Sequence, residues 1–297
     1  MLITSQSLDA LRVGFQATFQ RGLDQAPTDY TRIATTVPST TKENRYGWLG
    51  KMPSLREWIG ERAVQGISEH DYSVKNVSYE LTIGVDRDDI EDDNLGVYTP
   101  LMQEMGEAVA AQPDQLVFEA LKNGFTSPCY DGQNFFDTDH PVIGEDGAIT
   151  TVSNTGGGAG APWFLLCTNR SIKPIIFQER KAPEFVSLDR PTDERVFTNK
   201  EFVYGADCRR AVGYGFWQMA YGSKQTLNKA NFAAAFAALE GMKGDYGRPL
   251  GLKPTLLVAG PALREQVLEI VNAERDASGA TNVWKGTVDT LITPWLA

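Results

Sequence analysis

From Val77 to Asp86 apolar and polar residues alternate without a break: Val77, Tyr79, Leu81, Ile83 and Val85 against Ser78, Glu80, Thr82, Gly84 and Asp86. Successive side chains of an extended chain point to opposite faces, so this two-residue period predicts a strand with one buried face. Upstream, Tyr46 to Leu49 and Trp58 to Val64 are strand-like but broken by Gly47, Gly50, Pro53, Gly60 and Gly66, with Trp48 and Trp58 among charged neighbours. Glu43 to Asp86 therefore predicts a long hairpin arm. A lone two-stranded hairpin is marginal in water and needs a surface to lie on. Either Trp48, Trp58 and Ile59 join the core of their own chain or they cover a neighbour, and periodicity leaves both open.

Beyond the arm the period changes. From Gly96 to Asn123 the residues Tyr98, Leu101, Met102, Met105, Ala108, Val109, Leu116, Val117, Ala120 and Leu121 share one helical face, and Lys122-Asn123-Gly124 is a stop. The result is a rod of roughly 39 Å. Pro113 cannot donate the backbone bond, so a kink near Val109 or a restart capped by Gln112 is expected. A shorter amphipathic helix precedes the arm, with Leu8, Leu11, Phe15 and Phe19 at helical spacing between Ser5 and Gly22. Asp24 to Thr41 is polar, holds Pro27 and Pro38, and reads as an extended connector.

The remainder interleaves both periods. Ser127 to Gly160 is rich in turn formers and predicts loops with short strands. Strands are expected at Trp163 to Cys167, Ile172 to Gln178, Glu201 to Tyr214, Pro254 to Ala259 and near Val283 to Ile292. Asn228 caps a helix whose face is Phe232, Phe236 and Leu239, and Gly260-Pro261 opens another carrying Leu263, Val267, Ile270 and Val271. Without a regular repeat this is mixed α+β, and 297 residues suffice for two packed cores.

Composition restricts function. A net charge of −10 with no basic cluster lacks the footprint that grips phosphate backbones, although an acidic wall can line a container for DNA without sticking to it. Cys129, Cys167 and Cys208 stand apart with no Cys-x-x-Cys pair, as expected of reduced thiols in a cytosolic protein. Neither a signal peptide nor an apolar run long enough to span a bilayer is present, so no membrane partner is expected.

Few side chains are arranged for chemistry. Asp86-Arg87-Asp88-Asp89-Ile90-Glu91-Asp92-Asp93 has six carboxylates in eight residues, yet it misses the calcium-loop register and suits the positive end of the following helix. His70 and His140 are the two histidines, too few for a His-rich metal centre, and Asp137-Thr138-Asp139-His140 reads as a turn held by its aspartates. A Cys129–His140 nucleophile pair is conceivable but matches no catalytic signature. Gly156 to Gly160 lacks the Lys-Ser/Thr of a phosphate loop, and no Gly-x-Ser-x-Gly elbow occurs. No catalytic residue, metal or cofactor is assigned, and the chain is expected not to be an enzyme.

Two segments carry a family resemblance. Tyr130-Asp131-Gly132-Gln133-Asn134-Phe135-Phe136-Asp137-Thr138-Asp139-His140-Pro141-Val142 resembles the Mu-like phage major head subunit, where an Asp-Gly turn precedes paired aromatics and His-Pro. Val203-Tyr204-Gly205-Ala206-Asp207-Cys208-Arg209 with Gly213 to Tyr221 resembles its strand-rich later half. The resemblance implies a Hong Kong 97-type capsid fold: an N-terminal helix and arm (1–42), an extended hairpin loop (43–86) and a peripheral domain with a long spine helix (87–160). A mainly axial α+β domain (161–280) and a C-terminal strand (281–297) returning to the peripheral domain complete it. It further implies pentamers and hexamers closing into an icosahedral head around double-stranded DNA, assembled in the bacterial cytoplasm and ending in the virion. The contact candidates are then Trp48, Trp58, Ile59 and Arg62 of the hairpin. A portal and, because the arm starts almost at once, a separate scaffolding protein are the further partners expected. Lys51 lies in the hairpin, but no crosslink acceptor can be named for it. The competing readings are an encapsulin-like compartment around cargo enzymes and a metal-dependent hydrolase built on Asp86 to Asp93.

Overall fold

The structure is a computed structural model that describes residues 3–47, 49, 72–92, 95–275 and 278–297. In chain order the first part holds α1 (Ser5–Gln25), α2 (Tyr30–Ile33), β1 (Ala34–Pro38), β2 (Glu43–Arg45), β3 (Ser73–Lys75), β4 (Val77–Asp86), α3 (Arg87–Glu91) and α4 (Tyr98–Asn123). Then come β5 (His140–Ile143), β6 (Ile149–Val152), β7 (Thr155–Gly158), β8 (Trp163–Leu166), β9 (Ile175–Leu188), α5 (Glu194–Asn199) and β10 (Glu201–Tyr214). The chain ends with β11 (Ala220–Lys224), α6 (Lys229–Glu240), β12 (Leu256–Ala259), α7 (Arg264–Val271) and β13 (Asp289–Ile292).

Two sheets organise these elements. The larger, in the order β13-β12-β8-β11-β7, has a wholly apolar centre: every residue of β8 and β12 is buried. Such strands need cover on both faces. Phe232, Ala235 and Leu239 of α6, Val267, Ile270 and Val271 of α7, and Phe118 and Leu121 of α4 belong to the same buried cluster. The second sheet, β1-β9-β10-β4, starts in that core and leaves it. Ile175 to Gln178 of β9 are buried beside β1, and from Glu179 onward burial alternates along the strand.

Helix α1 lies along α4, and small residues set their approach. A Cβ on Gly22 would come within 2.1 Å of the Gln103 carbonyl oxygen, and one on Gly106 within 2.2 Å of the Phe19 carbonyl oxygen. Leu8, Phe15 and Phe19 of α1 are buried, as their helical spacing predicts. Thr4 and Ser7 close a reciprocal capping box at its start.

Several expectations need correction. Among the described residues the alternating strand β4 pairs not within the hairpin but along its whole length with β10, Val85 opposite Phe202 and Tyr79 opposite Cys208. Alternation reports a half-buried face and says nothing of the partner across the ladder. The connector from Asp24 to Thr41 contains α2 and β1, a short strand parallel to the buried root of β9. Helix α4 runs unbroken over 26 residues with Pro113 inside it, neither ending nor restarting at Gln112. The C-terminal strand β13 lies parallel to β12 in the larger sheet, while Lys122 of α4 donates to the final carbonyl of Ala297 at 3.0 Å.

Candidate assembly interface

The hairpin is rooted by β2 and β3, which pair antiparallel with Asn44 opposite Val74. Trp48, Trp58, Ile59, Arg62 and Lys51 lie outside the described residues. The described residues show how the arm is fastened. Gln178, fully buried on β9, accepts from the Tyr46 hydroxyl at 2.7 Å and donates to the Val74 carbonyl at 3.1 Å and to Asn76 Oδ1 at 2.8 Å. Asn76 passes the network on, donating from Nδ2 to Ser39 Oγ and to the Thr41 carbonyl, each at 2.9 Å. Ser39 in turn donates to Asn44 Oδ1 at 2.9 Å.

Both edges of the arm are thereby tied to β9. Tyr46 N donates to the Tyr72 carbonyl at 2.9 Å, and the Tyr72 hydroxyl accepts from Tyr214 N at 2.7 Å. Burial raises the pKa of Tyr46 and Tyr72 alike, so both hydroxyls stay protonated at neutral pH. A Cβ on Gly213 would meet Val74 Cγ2 at 2.4 Å, so β3 is seated directly on β10. A buried polar network of this kind holds one geometry because each displaced partner would leave an unpaired group. Sequence reasoning missed these anchors. The signal was Gln178 at the end of the apolar run Ile175-Ile176-Phe177.

The other clusters singled out from sequence resolve locally. Asp86 caps α3, accepting from Asp88 N at 2.8 Å, and not the long helix, whose N-cap Val97 has no side-chain bond. Arg87 pairs with Glu91 at 2.9 Å, Lys200 with Asp88, and the Tyr98 hydroxyl donates to Asp89. The hydrolase reading loses carboxylates to these bonds. Asp137 accepts from Thr138 N at 2.8 Å and Asn134 Nδ2 at 3.0 Å, the turn its sequence suggested. Cys129 and His140 are neighbours but not bonded as nucleophile and base. Both meet the Asp131 carboxylate, Cys129 Sγ at 3.1 Å from Oδ1 and His140 Nδ1 at 2.7 Å from Oδ2. Burial pushes the Cys129 thiol well above its ordinary range, the opposite of an activated nucleophile.

A long spine helix beside a sheet that runs out of an α+β core, with the two-stranded ribbon β2–β3 tied to that sheet, fits a capsid subunit of the Hong Kong 97 type. The comparisons with known proteins give the same class. The profile of the "Mu-like prophage major head subunit gpT" family matches residues 8–296, and the chain belongs to that family. It is 45% identical to the major capsid protein of Escherichia phage Mu, covering 100% of both chains. It is also 45% identical to the Mu-like prophage FluMu major head subunit of Haemophilus influenzae, over 95% of this chain and 94% of that one. Among solved structures, a subunit of the bacteriophage JBD30 procapsid superposes with a TM-score of 0.88 at 49% identity, covering 99% of this chain and all of that one. A subunit of the JBD30 capsid superposes at 0.79 and 38% identity, with full coverage of both. The chain is a major capsid protein of a phage head and a component of the virion. Among the described residues no helix is long and apolar enough to cross a membrane.

Proposed function

We propose that copies of this chain form pentamers and hexamers of a closed icosahedral head around double-stranded DNA, each laying its hairpin across the neighbouring subunit. The observation that carries this is the root of the arm. Gln178, Asn76 and Ser39 hold the two-stranded ribbon β2–β3 at which the segment between Tyr46 and Tyr72 begins and ends. A segment held so firmly at its base is built to deliver Trp48, Trp58, Ile59 and Arg62 to a surface. Many modest contacts of this sort, summed over a lattice, close a shell without any single tight site.

The net charge of −10 supports enclosing DNA without reading its sequence. A scaffolding protein and a portal complete the proposed partners, and no residue is given a catalytic role. Full-length identity to phage head subunits favours DNA as the content over the cargo enzymes of an encapsulin-like compartment. The test is Trp58→Glu. The variant is expected to give a folded, soluble subunit that forms no shells in negative-stain micrographs under conditions where the parent chain does. Normal shells from the variant would remove the hairpin from the account.

A further inference from the structure

The loop between α4 and β5, with the first residue of β5, gathers three metal-ligating side chains. Cys129, Asp131 and His140 bring a sulfur, a carboxylate oxygen and an imidazole nitrogen within 4.8 Å of one another. Two of its members are buried, His140 at 0% and Cys129 at 5% exposure, and Asp131 is half-buried. Besides the bonds through Asp131, residues outside the cluster hold its members in place. The His140 ring stacks on Trp217 with centroids 4.0 Å apart and planes 8° apart. Asp131 sits in a turn completed by Gly132 at φ 88°, a conformation that favours glycine, and accepts from Gln133 N at 3.1 Å. Nε2, on the far side of the ring from the cluster, is buried with no hydrogen-bond partner among the described residues, so Nδ1 is the nitrogen that can serve the site.

We propose that Cys129, Asp131 and His140 form a binding site for a divalent ion of the zinc class, which locks the loop beneath the hairpin root. The donor set decides the ion: thiolate and imidazole suit zinc and its neighbours, whereas magnesium and calcium take oxygen alone. Zinc bonds of about 2.0–2.3 Å in tetrahedral geometry place ligand atoms about 3.3–3.7 Å apart. The present separations of 2.7 and 3.1 Å are those of proton-bridged pairs and must open by roughly 0.5–1 Å, while the widest separation in the cluster, up to 4.8 Å, must close toward the same range. Binding replaces a proton with the ion. The thiol S–H bond breaks as the sulfur–metal bond forms, and that proton leaves to solvent, while the imidazole proton moves from Nδ1 to Nε2. One proton is released per ion, so uptake strengthens as pH rises. The consequence reaches the arm through Phe135 of the same loop. Phe135 stacks on Tyr214 at 4.5 Å, and Tyr214 N donates to the Tyr72 hydroxyl at the hairpin's return.

Cobalt(II) titration of the chelator-stripped, full-length subunit tests this. The expected result is saturable uptake with a thiolate-to-cobalt charge-transfer band and the visible bands of a tetrahedral site. Zinc should displace that signal and raise the melting temperature of the stripped protein. Cys129→Ser, which keeps a small polar side chain and so the fold, should abolish the charge-transfer band, whereas Cys167→Ser and Cys208→Ser should keep it. Asp131→Asn should weaken zinc binding at least about tenfold. No band in the folded parent protein, or a band that survives Cys129→Ser, would overturn the site and leave a hydrogen-bonded clamp only.

Discussion

The larger sheet and the root of the hairpin share one buried apolar cluster, but only the root adds a directional polar network to it. In β8 and β12 burial is continuous and apolar, from Trp163 to Leu166 and from Leu256 to Ala259, and nothing there specifies a partner outside the chain. At the hairpin root the same apolar cluster continues through Tyr46, Leu49 and Val74, and buried polar groups are added to it: Gln178, Asn76, Ser39 and the Tyr46 hydroxyl, joined by directional bonds. Apolar burial supplies most of the stability and tolerates adjustment, whereas a polar network adds little net energy but fixes one geometry. In the proposed assembly the two regions divide the labour of a shell subunit: one keeps the chain folded, the other holds the base of the segment proposed to meet its neighbour. The outer half of β9 shows the boundary, since Val186 and Leu188 stay 46% and 51% exposed once the strand has left the core.

The sharpest way to break this division is to disturb the apolar side of it. Phe164 is fully buried at the centre of β8, with the Phe136 ring 5.3 Å and the Phe125 ring 5.9 Å away. Phe164→Ala should cost about 3–5 kcal/mol by lost transfer energy and an unfilled cavity. Denaturant unfolding should show the whole subunit melting earlier, and a loss below about 1 kcal/mol would mean that β8 is not the core that holds this chain together.

A smaller global effect with a larger local one is expected at the root. Gln178→Leu keeps the volume but removes the amide that donates to the Val74 carbonyl and Asn76 Oδ1, and takes one acceptor from the Tyr46 hydroxyl. Stranded buried groups cost about 1–3 kcal/mol. The subunit should remain folded while limited proteolysis between residues 46 and 72 speeds up and shell yield drops. Unchanged cleavage in that segment with a large fall in melting temperature would show that the root belongs to the core after all.

How far the sequence carried this contrast depends on the information each period encodes. Helical spacing located α1 and α4 because one face of each is buried, and the apolar runs at β8 and β12 announced themselves by composition. Strand β10 was legible from Glu201 to Tyr214, but its partner was not: the alternation of β4 suits any ladder, and only the fold places Val85 opposite Phe202. The short strand β1 was hidden because five residues containing a proline show no period, and its parallel pairing to β9 is entirely long-range. The polar anchors were the hardest to see. Gln178, Asn76 and Ser39 are scattered across the sequence, and a glutamine after three apolar residues looks like the end of a strand as much as a buried bridge. Cys129, Asp131 and His140 were visible as residues, yet their shared carboxylate was not.

The finest test of the comparison concerns a buried charge outside both regions, where the arm crosses the spine helix. Asp114, 4% exposed and next to Pro113, accepts from Tyr30 N at 2.7 Å and from Asp29 N at 3.0 Å, satisfying the first turn of α2. Burial raises its pKa above the ordinary 3.8, and the two backbone donors only partly offset that. Its folded-state pKa therefore exceeds the unfolded one, and the stability linked to this proton is fully present below the unfolded value and lost as pH rises through the folded one. Asp114→Asn keeps an oxygen for both donors and carries no charge at any pH. The variant should lie within about 1 kcal/mol of the parent at neutral pH. The parent's advantage should be greatest in acid and shrink as pH increases, because titrations elsewhere cancel between two chains that differ at one site. A difference in melting temperature that instead widens toward neutral pH would mean that the Asp29 and Tyr30 amides hold Asp114 as a stabilised anion, and that the arm is fastened to the spine helix by charge.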